Sequence, residues 1–337
     1  MSDLAGWLDG ARRPLLRGVL RLAPARWLFV DRRRRVVAGS LVAVATAFAL
    51  AAWQPLVALW LGAALFGVPH VVSGVRFAWL RQALAMPTRA LIGIALAVGV
   101  VELAGSGTRI ADGAVRAYVL LFAAAVLIEL ARARAWRPST RALAAVAVAV
   151  AAAAGLVAPK LTLVALAHLH GLGAIAWFAR RARARGVPVW PFVVAVAVVM
   201  GAAALGAFDA LWAERLWAPR SAAASILAEA AGSATDGAGA IVLRRALFLY
   251  AFGQALHFAI WLRLVPEVER AAKVPPSFRR ALALLEADFG RWARPLVVAC
   301  VVAAPLLLLG GGLARESYFA LTYFHVGLEA AALASAR

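Results

Sequence analysis

The sequence predicts an all-α, polytopic integral membrane protein: a bundle of about ten transmembrane helices, each long enough to cross a bilayer, with both termini cytoplasmic. Three observations predict it. Hydrophobic residues make up 64% of the 337 and charged residues only 15%, against roughly 45–50% and about 25% in soluble domains, and mean hydropathy is +0.85. Apolar runs of roughly 20 residues recur along the chain, enough for helices to cross a hydrocarbon core of about 30 Å, whereas barrel strands would show alternation over only about 10 residues. Finally, the arginines cluster between the runs rather than inside them.

Residues 1–35 form a basic, amphipathic amino-terminal segment. Leu4, Leu8, Ala11, Leu15, Val19 and Leu22 recur at helical spacing beside a stripe of Arg13, Arg17 and Arg21, the pattern of a helix lying on a membrane surface. Arg32 to Arg35 close it. This basic region is longer than an ordinary leader's charged end, so no cleaved signal is expected. Residues 36–337 read as one transmembrane domain. Its spans fall at 36–53, 55–79, 90–106, 114–132, 142–158, 160–179, 187–208, 241–263, 293–312 and 316–335.

Charge supports this division. Arginine-rich connections (Arg76, Arg81 and Arg89; Arg132, Arg134, Arg137 and Arg141; Arg180, Arg181, Arg183 and Arg185; Arg263, Arg270, Arg279 and Arg280) alternate with short, cation-poor turns near Trp53, Gly105, Lys160 and Gly311. Arginine-rich loops belong inside. Two connections are long: an external loop, 209–240, with Trp212 and Trp217, and a cytoplasmic segment, 264–292. In the second, Phe278, Leu282, Leu285 and Phe289 oppose Arg279, Arg280 and Glu286, as in an interfacial helix.

The net charge of +20 therefore reads as topology and contact with anionic membrane lipids, and no DNA- or RNA-binding motif accompanies it. The single cysteine, Cys300, excludes an intrachain disulfide and a cysteine-built metal site. Lysine is confined to Lys160 and Lys273 while alanine and arginine abound, a bias that suggests a GC-rich bacterial genome and hence the bacterial inner membrane.

All five histidines lie inside apolar runs: His70, His168, His170, His257 and His325. An ionisable residue within a membrane helix is costly and marks a functional site by default. All four helices concerned run from outside to inside. His70 and His257 each precede a boundary arginine (Arg76, Arg263) by six residues, and His170 and His325 precede Arg180 and Arg337 by ten and twelve. These depths agree within about two helical turns, so imidazoles from four helices can meet in one layer. Imidazole suits iron, copper, zinc and nickel. His168 and His170 are about 200° apart on a helix, so one of them is expected to be a ligand; Gly171 and Gly173 favour His170, because they permit another helix to come close.

Other polar residues share these faces. Glu329 follows His325 by four positions, where it can orient an imidazole or supply an oxygen ligand. Tyr250 and Gln254 precede His257 by seven and three, as candidates to bind water or orient a substrate, or to hydrogen-bond between helices. No P-loop, dinucleotide glycine motif, G-x-S-x-G or H-E-x-x-H is present.

Leu65-Phe66-Gly67-Val68-Pro69-His70 resembles the G-L-P-H motif of the Brp/Blh family of bacterial membrane carotenoid-cleaving dioxygenases. The order that follows is similar too: His170-Gly171, His257 in an aromatic-flanked late helix (Tyr250 to Trp261), then His325. The resemblance implies a non-haem iron (Fe2+) held by helix-borne histidines, with dioxygen and a lipophilic small molecule, in that family β-carotene, as substrates. On it His70 matches the first ligand, His170 the second and His257 a later one. Two features depart from the family. Gly253 and Trp261 stand four residues either side of His257, where the family has a second histidine, and Gly74 replaces an aspartate. His325, with Glu329, would supply the missing ligand.

Two other readings are compatible with the sequence. One is a haem-b electron-transfer protein with histidines as axial ligands. The other is a non-catalytic transporter or assembly protein, with a different transition metal or none, in which the histidines pair or relay protons.

Overall fold

The computed structural model describes residues 2–106, 112–212, 238–270, 277–309 and 312–335, and among these there is helix and no strand. The predicted amino-terminal segment forms two helices, α1 (Ser2–Leu20) and α2 (Ala23–Val30). Next come α3 (Arg32–Trp53), α4 (Pro55–Gly74), α5 (Met86–Ser106), α6 (Asp112–Arg132), α7 (Pro138–Val157), α8 (Pro159–Ala184), α9 (Trp190–Ala204) and the short α10 (Asp209–Trp212). The series ends with α11 (Ala238–Ala259), α12 (Val265–Glu269), α13 (Phe278–Phe289), α14 (Ala293–Leu309) and α15 (Gly312–Ala334). Five helical stretches are long and apolar enough to cross a membrane: Arg32–Trp53, Pro55–Leu80, Asp112–Arg132, Pro138–Val157 and Arg244–Glu269.

Local chemistry sets the breaks. Asp31 caps α3, accepting the N–H groups of Arg33 at 2.6 Å and Arg34 at 3.2 Å, which starts the helix inside the arginine run. Prolines open α4, α7 and α8, where a missing N–H costs nothing and the preceding residue is driven out of the helical region. The run predicted at 187–208 is helical only over Trp190–Ala204, because the chain turns at Gly206 with φ +86, a conformation that favours glycine. Gly290, at φ +56, turns α13 into the 3-10 segment Gly290–Trp292 that leads to α14.

Within the predicted cytoplasmic segment, α13 is the amphipathic helix, and residues 271–276 lie outside the described part. So do 213–237 of the predicted external loop. Helices α1 and α13 pack together. Asp9 of α1 accepts the N–H groups of Phe278 and Arg279 at 2.8 and 3.1 Å, and Ser277 accepts that of Arg280 at 3.1 Å. Burial raises the Asp9 carboxyl's pKa, but these amides with Arg12 and Arg13 outweigh that and leave it below its ordinary value. The pair leaves Leu4, Trp7, Leu15 and Phe278 exposed.

Helix α11 is central and α7 peripheral: 61% of the apolar window on the first is buried and 6% of that on the second. The arginine-rich end of the bundle is tied by carboxylates. Glu267 pairs with Arg35 at 2.8 Å, with Arg263 at 3.0 Å and with Arg270. Glu269 pairs with Arg185 at 3.0 Å and Arg181 at 3.6 Å, and Asp288 with Arg76 at 2.5 Å and Arg81 at 2.8 Å. Glu129, 1% exposed, accepts the Ala85 N–H and the Thr88 hydroxyl, both at 2.7 Å, at the start of α5.

Candidate metal centre

Four helices form a closed ring: α4 packs on α11, α11 on α8, α8 on α15, and α15 on α4. Each turns one imidazole inward. His70, His170, His257 and His325 are 1%, 7%, 0% and 0% exposed, and one ligand atom from each lies within 4.8 Å of all the others. A metal about 2.0–2.1 Å from each imidazole nitrogen sets ligands on opposite sides about 4.0–4.2 Å apart, so this spacing is close to that of a coordination sphere. The rings of His170 and His257 are closest, with centroids 3.9 Å apart, and those of His70 and His325 stand at 4.6 Å, edge to face.

Glu329, one turn beyond His325, lies among them. Its Oε1 is 2.5 Å from His325 Nε2 and 3.5 Å from His257 Nε2, and its Oε2 is 3.7 Å from His170 Nε2. None of these approaches has hydrogen-bond geometry. Both carboxylate oxygens, both ring nitrogens of His170, His257 and His325, and Nε2 of His70 are buried without a hydrogen-bond partner. The Trp261 indole N–H approaches Glu329 without reaching hydrogen-bond geometry. Each unsatisfied buried polar group costs about 1–3 kcal/mol. A single cation shared by the imidazoles and the carboxylate removes that cost for one nitrogen of each ring and for the carboxylate, which is why these residues fit a metal. Whichever two imidazoles served as axial ligands, the other two and Glu329 would occupy the plane a porphyrin needs, so the donor set does not fit haem.

His70 is oriented by its own helix: Nδ1 lies 3.1 Å from the Phe66 carbonyl. That contact places the proton on Nδ1 and turns the Nε2 lone pair inward. His325 has space because residue 74 is glycine, since any Cβ there would overlap the His325 ring. The aspartate position of the family resemblance is thus filled, in space, by an imidazole from another helix. Gly171 approaches the Gly253 carbonyl of α11, and this close seam sets His170 against His257. Trp261, four residues after His257, lies against His325 with centroids 5.8 Å apart.

His168, the other histidine of α8, stands outside the group of four imidazoles. Its angular offset from His170 turns it to Tyr250, with ring centroids 4.9 Å apart, and to the Ala246 carbonyl, 3.4 Å from Nε2. Tyr250 in turn lies beside Gln254, so the contacts of this pair run along α11 and to His168.

Sequence reasoning missed three features. Helix α4 continues as a π-helix over Val75–Leu80, and α11 does so over Ile260–Leu264, each beginning shortly after its histidine. Such wide turns often mark functional sites. Ser73 donates to the Trp261 carbonyl at 2.6 Å, joining the two. Gly74 makes the third, and it alone of these had a signal, as a departure from the resemblance. Phe258, one of the aromatics of the late helix, covers His70, with centroids 4.8 Å apart.

No protein-family model matches the chain, and no curated protein or solved structure matches it either.

Proposed function

We propose that the chain is a ten-span protein of the bacterial inner membrane, with both termini in the cytoplasm, that uses a histidine-held ferrous iron to oxygenate an apolar molecule dissolved in the bilayer. The observation that carries this reading is the convergence of four buried imidazoles, one from each of four helices, with no hydrogen-bond partner on the nitrogens that face one another. The short G-x-P-H resemblance favours carotenoid cleavage within that class.

Iron bound by imidazoles with a coordination position open would supply dioxygen activation. The chain's own residues do the rest. The Phe66 carbonyl holds His70 in one tautomer. The Glu329 carboxylate sets a negative charge against three imidazoles, which offsets half the charge of a divalent cation. Phe258 and Trp261, 5% and 1% exposed, keep water out. The ion-paired arginine end supports a cytoplasmic face there. The exposed apolar residues of α1 and α13 beside Arg12, Arg13 and Arg280 support contact with anionic lipid.

The test is anaerobic reconstitution of the purified protein with ferrous iron, followed by addition of oxygen and β-carotene. The reading predicts oxygen-dependent loss of the polyene absorption with no Soret band, and no such loss in His70→Ala. Iron uptake without oxygen-dependent turnover of any apolar polyene would contradict the oxygenase assignment.

A further inference from the structure

The cluster is sealed on both sides, but unequally. Toward the arginine-rich end two indoles stand in series. Trp261 lies on His325, Trp177 stacks on Trp261 with centroids 6.0 Å apart, and the Arg181 guanidinium covers Trp177 at 4.8 Å. Beyond Trp177 there is a cavity of only about 60 Å3, lined by Phe77, Arg81, Arg181, Val265 and Glu269 besides Trp177 itself. That side is closed by aromatic stacking and ion pairs.

At the seam of α4 and α11 one ring separates the imidazoles from the outer surface. Phe258 is 5% exposed and touches His70, with centroids 4.8 Å apart, and His257 at 6.0 Å. Its other neighbour is Phe66, at 6.2 Å, which is 46% exposed, beside Leu65 at 43%. Phe66 stands about 16 Å along α4 from Pro55 at 1.5 Å per residue, half-way through a hydrocarbon core of about 30 Å. What meets Phe66 there is hydrocarbon, not water. The Phe258 ring rests in a notch left by Gly62, where even a Cβ would press on it at 2.8 Å. A ring held by a glycine notch and an exposed phenylalanine, one turn apart on α4, can turn aside without moving backbone.

We infer that Phe258, seated against Gly62 and Phe66, is the gate through which an apolar, bilayer-dissolved molecule reaches the four-histidine cluster laterally. This rests on the cluster being a centre that acts on such a molecule. It adds the route and the residue that controls it. A polar or water-borne substrate has no path past Phe66, so the gate also selects the chemical class.

The test uses an alkyl diazirine hydrocarbon as probe, photolysed in vesicles that carry the full-length protein, with adducts located by mass spectrometry. It is run on metal-free and iron-loaded samples, and iron content is measured separately. In the wild type, adducts concentrate on Leu65 and Phe66. Phe258→Ala is expected to raise adducts on His70 and His325 several-fold, with Phe258→Leu between the two. Val146→Ala, at an exposed position on α7, leaves them unchanged. Should Phe258→Ala fail to fold, Phe258→Leu and Phe66→Ala carry the test. Cluster labelling indifferent to residues 258 and 66 would overturn the proposal, as would labelling that responds only to a water-soluble diazirine. Dependence on Phe258 in a protein that binds no iron would keep the gate and remove the metal. Iron binding with labelling indifferent to Phe258 would do the reverse.

Discussion

Two buried carboxylates in this protein have opposite surroundings. Glu267, 4% exposed, is met by Arg35, Arg263 and Arg270. Glu329, 6% exposed, is met by three imidazoles and the Trp261 indole but by no guanidinium among the described residues, and neither of its oxygens makes a hydrogen bond. The first is satisfied by the chain itself and ties helix ends together. The second is satisfied only when something positive joins it. Buried polar groups are nearly always paired, so an unpaired set as concentrated as the one around Glu329 points to a partner the polypeptide does not supply. A buried acid among arginines reads as architecture, and a buried acid among neutral imidazoles reads as a binding site.

The largest expected effect separates the two directly. His257→Ala should abolish stoichiometric metal binding while the protein stays monodisperse in detergent, since the cluster loses one of its four imidazoles and no arginine ion pair is touched. Metal analysis after gel filtration checks this. Second, Glu267→Gln should destabilise the fold by roughly 2 kcal/mol, because it weakens the charged hydrogen bonds that three partly exposed arginines make to one carboxylate, yet leave metal content unchanged. Thermal unfolding with metal analysis on the same sample measures both. If Glu267→Gln lost metal as readily as His257→Ala, the two regions would not be distinct.

Third, Glu329→Gln should weaken metal binding about 10- to 100-fold, the usual effect of losing a carboxylate that supports ligating histidines, with little change in unfolding temperature. Competition against a chelator gives the ratio. Gly74→Ala should act in the same direction and less strongly, by pushing the His325 ring out of line.

The smallest effect lies at the surface pair of α1 and α13. The Asp9 carboxyl is held below its ordinary pKa by the α13 amides and two arginines against the opposing pull of burial. Its contribution to docking is therefore complete above the ordinary carboxylate pKa and is lost as pH falls through the lowered value. Hydrogen exchange of α1 should quicken over that acidic window, and Asp9→Asn should remove the pH dependence.

Much of the architecture was legible because it rests on local chemistry. Prolines 55, 138 and 159 mark helix starts, apolar run length marks helices, and the amphipathic stripe from Phe278 to Phe289 appears as α13. The shortening of α9 was hidden, since Gly206 adopts its positive φ in a run that reads as apolar throughout. At the site, the helices that carry His70, His170, His257 and His325, and their shared depth, followed from counting residues to the flanking arginines. Their rotation did not, because helices this rich in alanine and valine show no apolar stripe. The angular rule separated His168 from His170, but it could not show that His168 turns to Tyr250. The contact of Ser73 and the two π segments depend on which helix packs beside which, so no local pattern announces them.

The measurement that tests the central claim most directly is metal K-edge X-ray absorption, with elemental analysis, on protein reconstituted anaerobically with ferrous iron. The account predicts about one iron per chain with the multiple scattering of several imidazoles at about 2.0–2.2 Å, typical metal–ligand distances, and its loss in His257→Ala. Protein that takes up neither iron nor any other first-row transition metal at stoichiometric level, or that holds one equally well without His257, would contradict it.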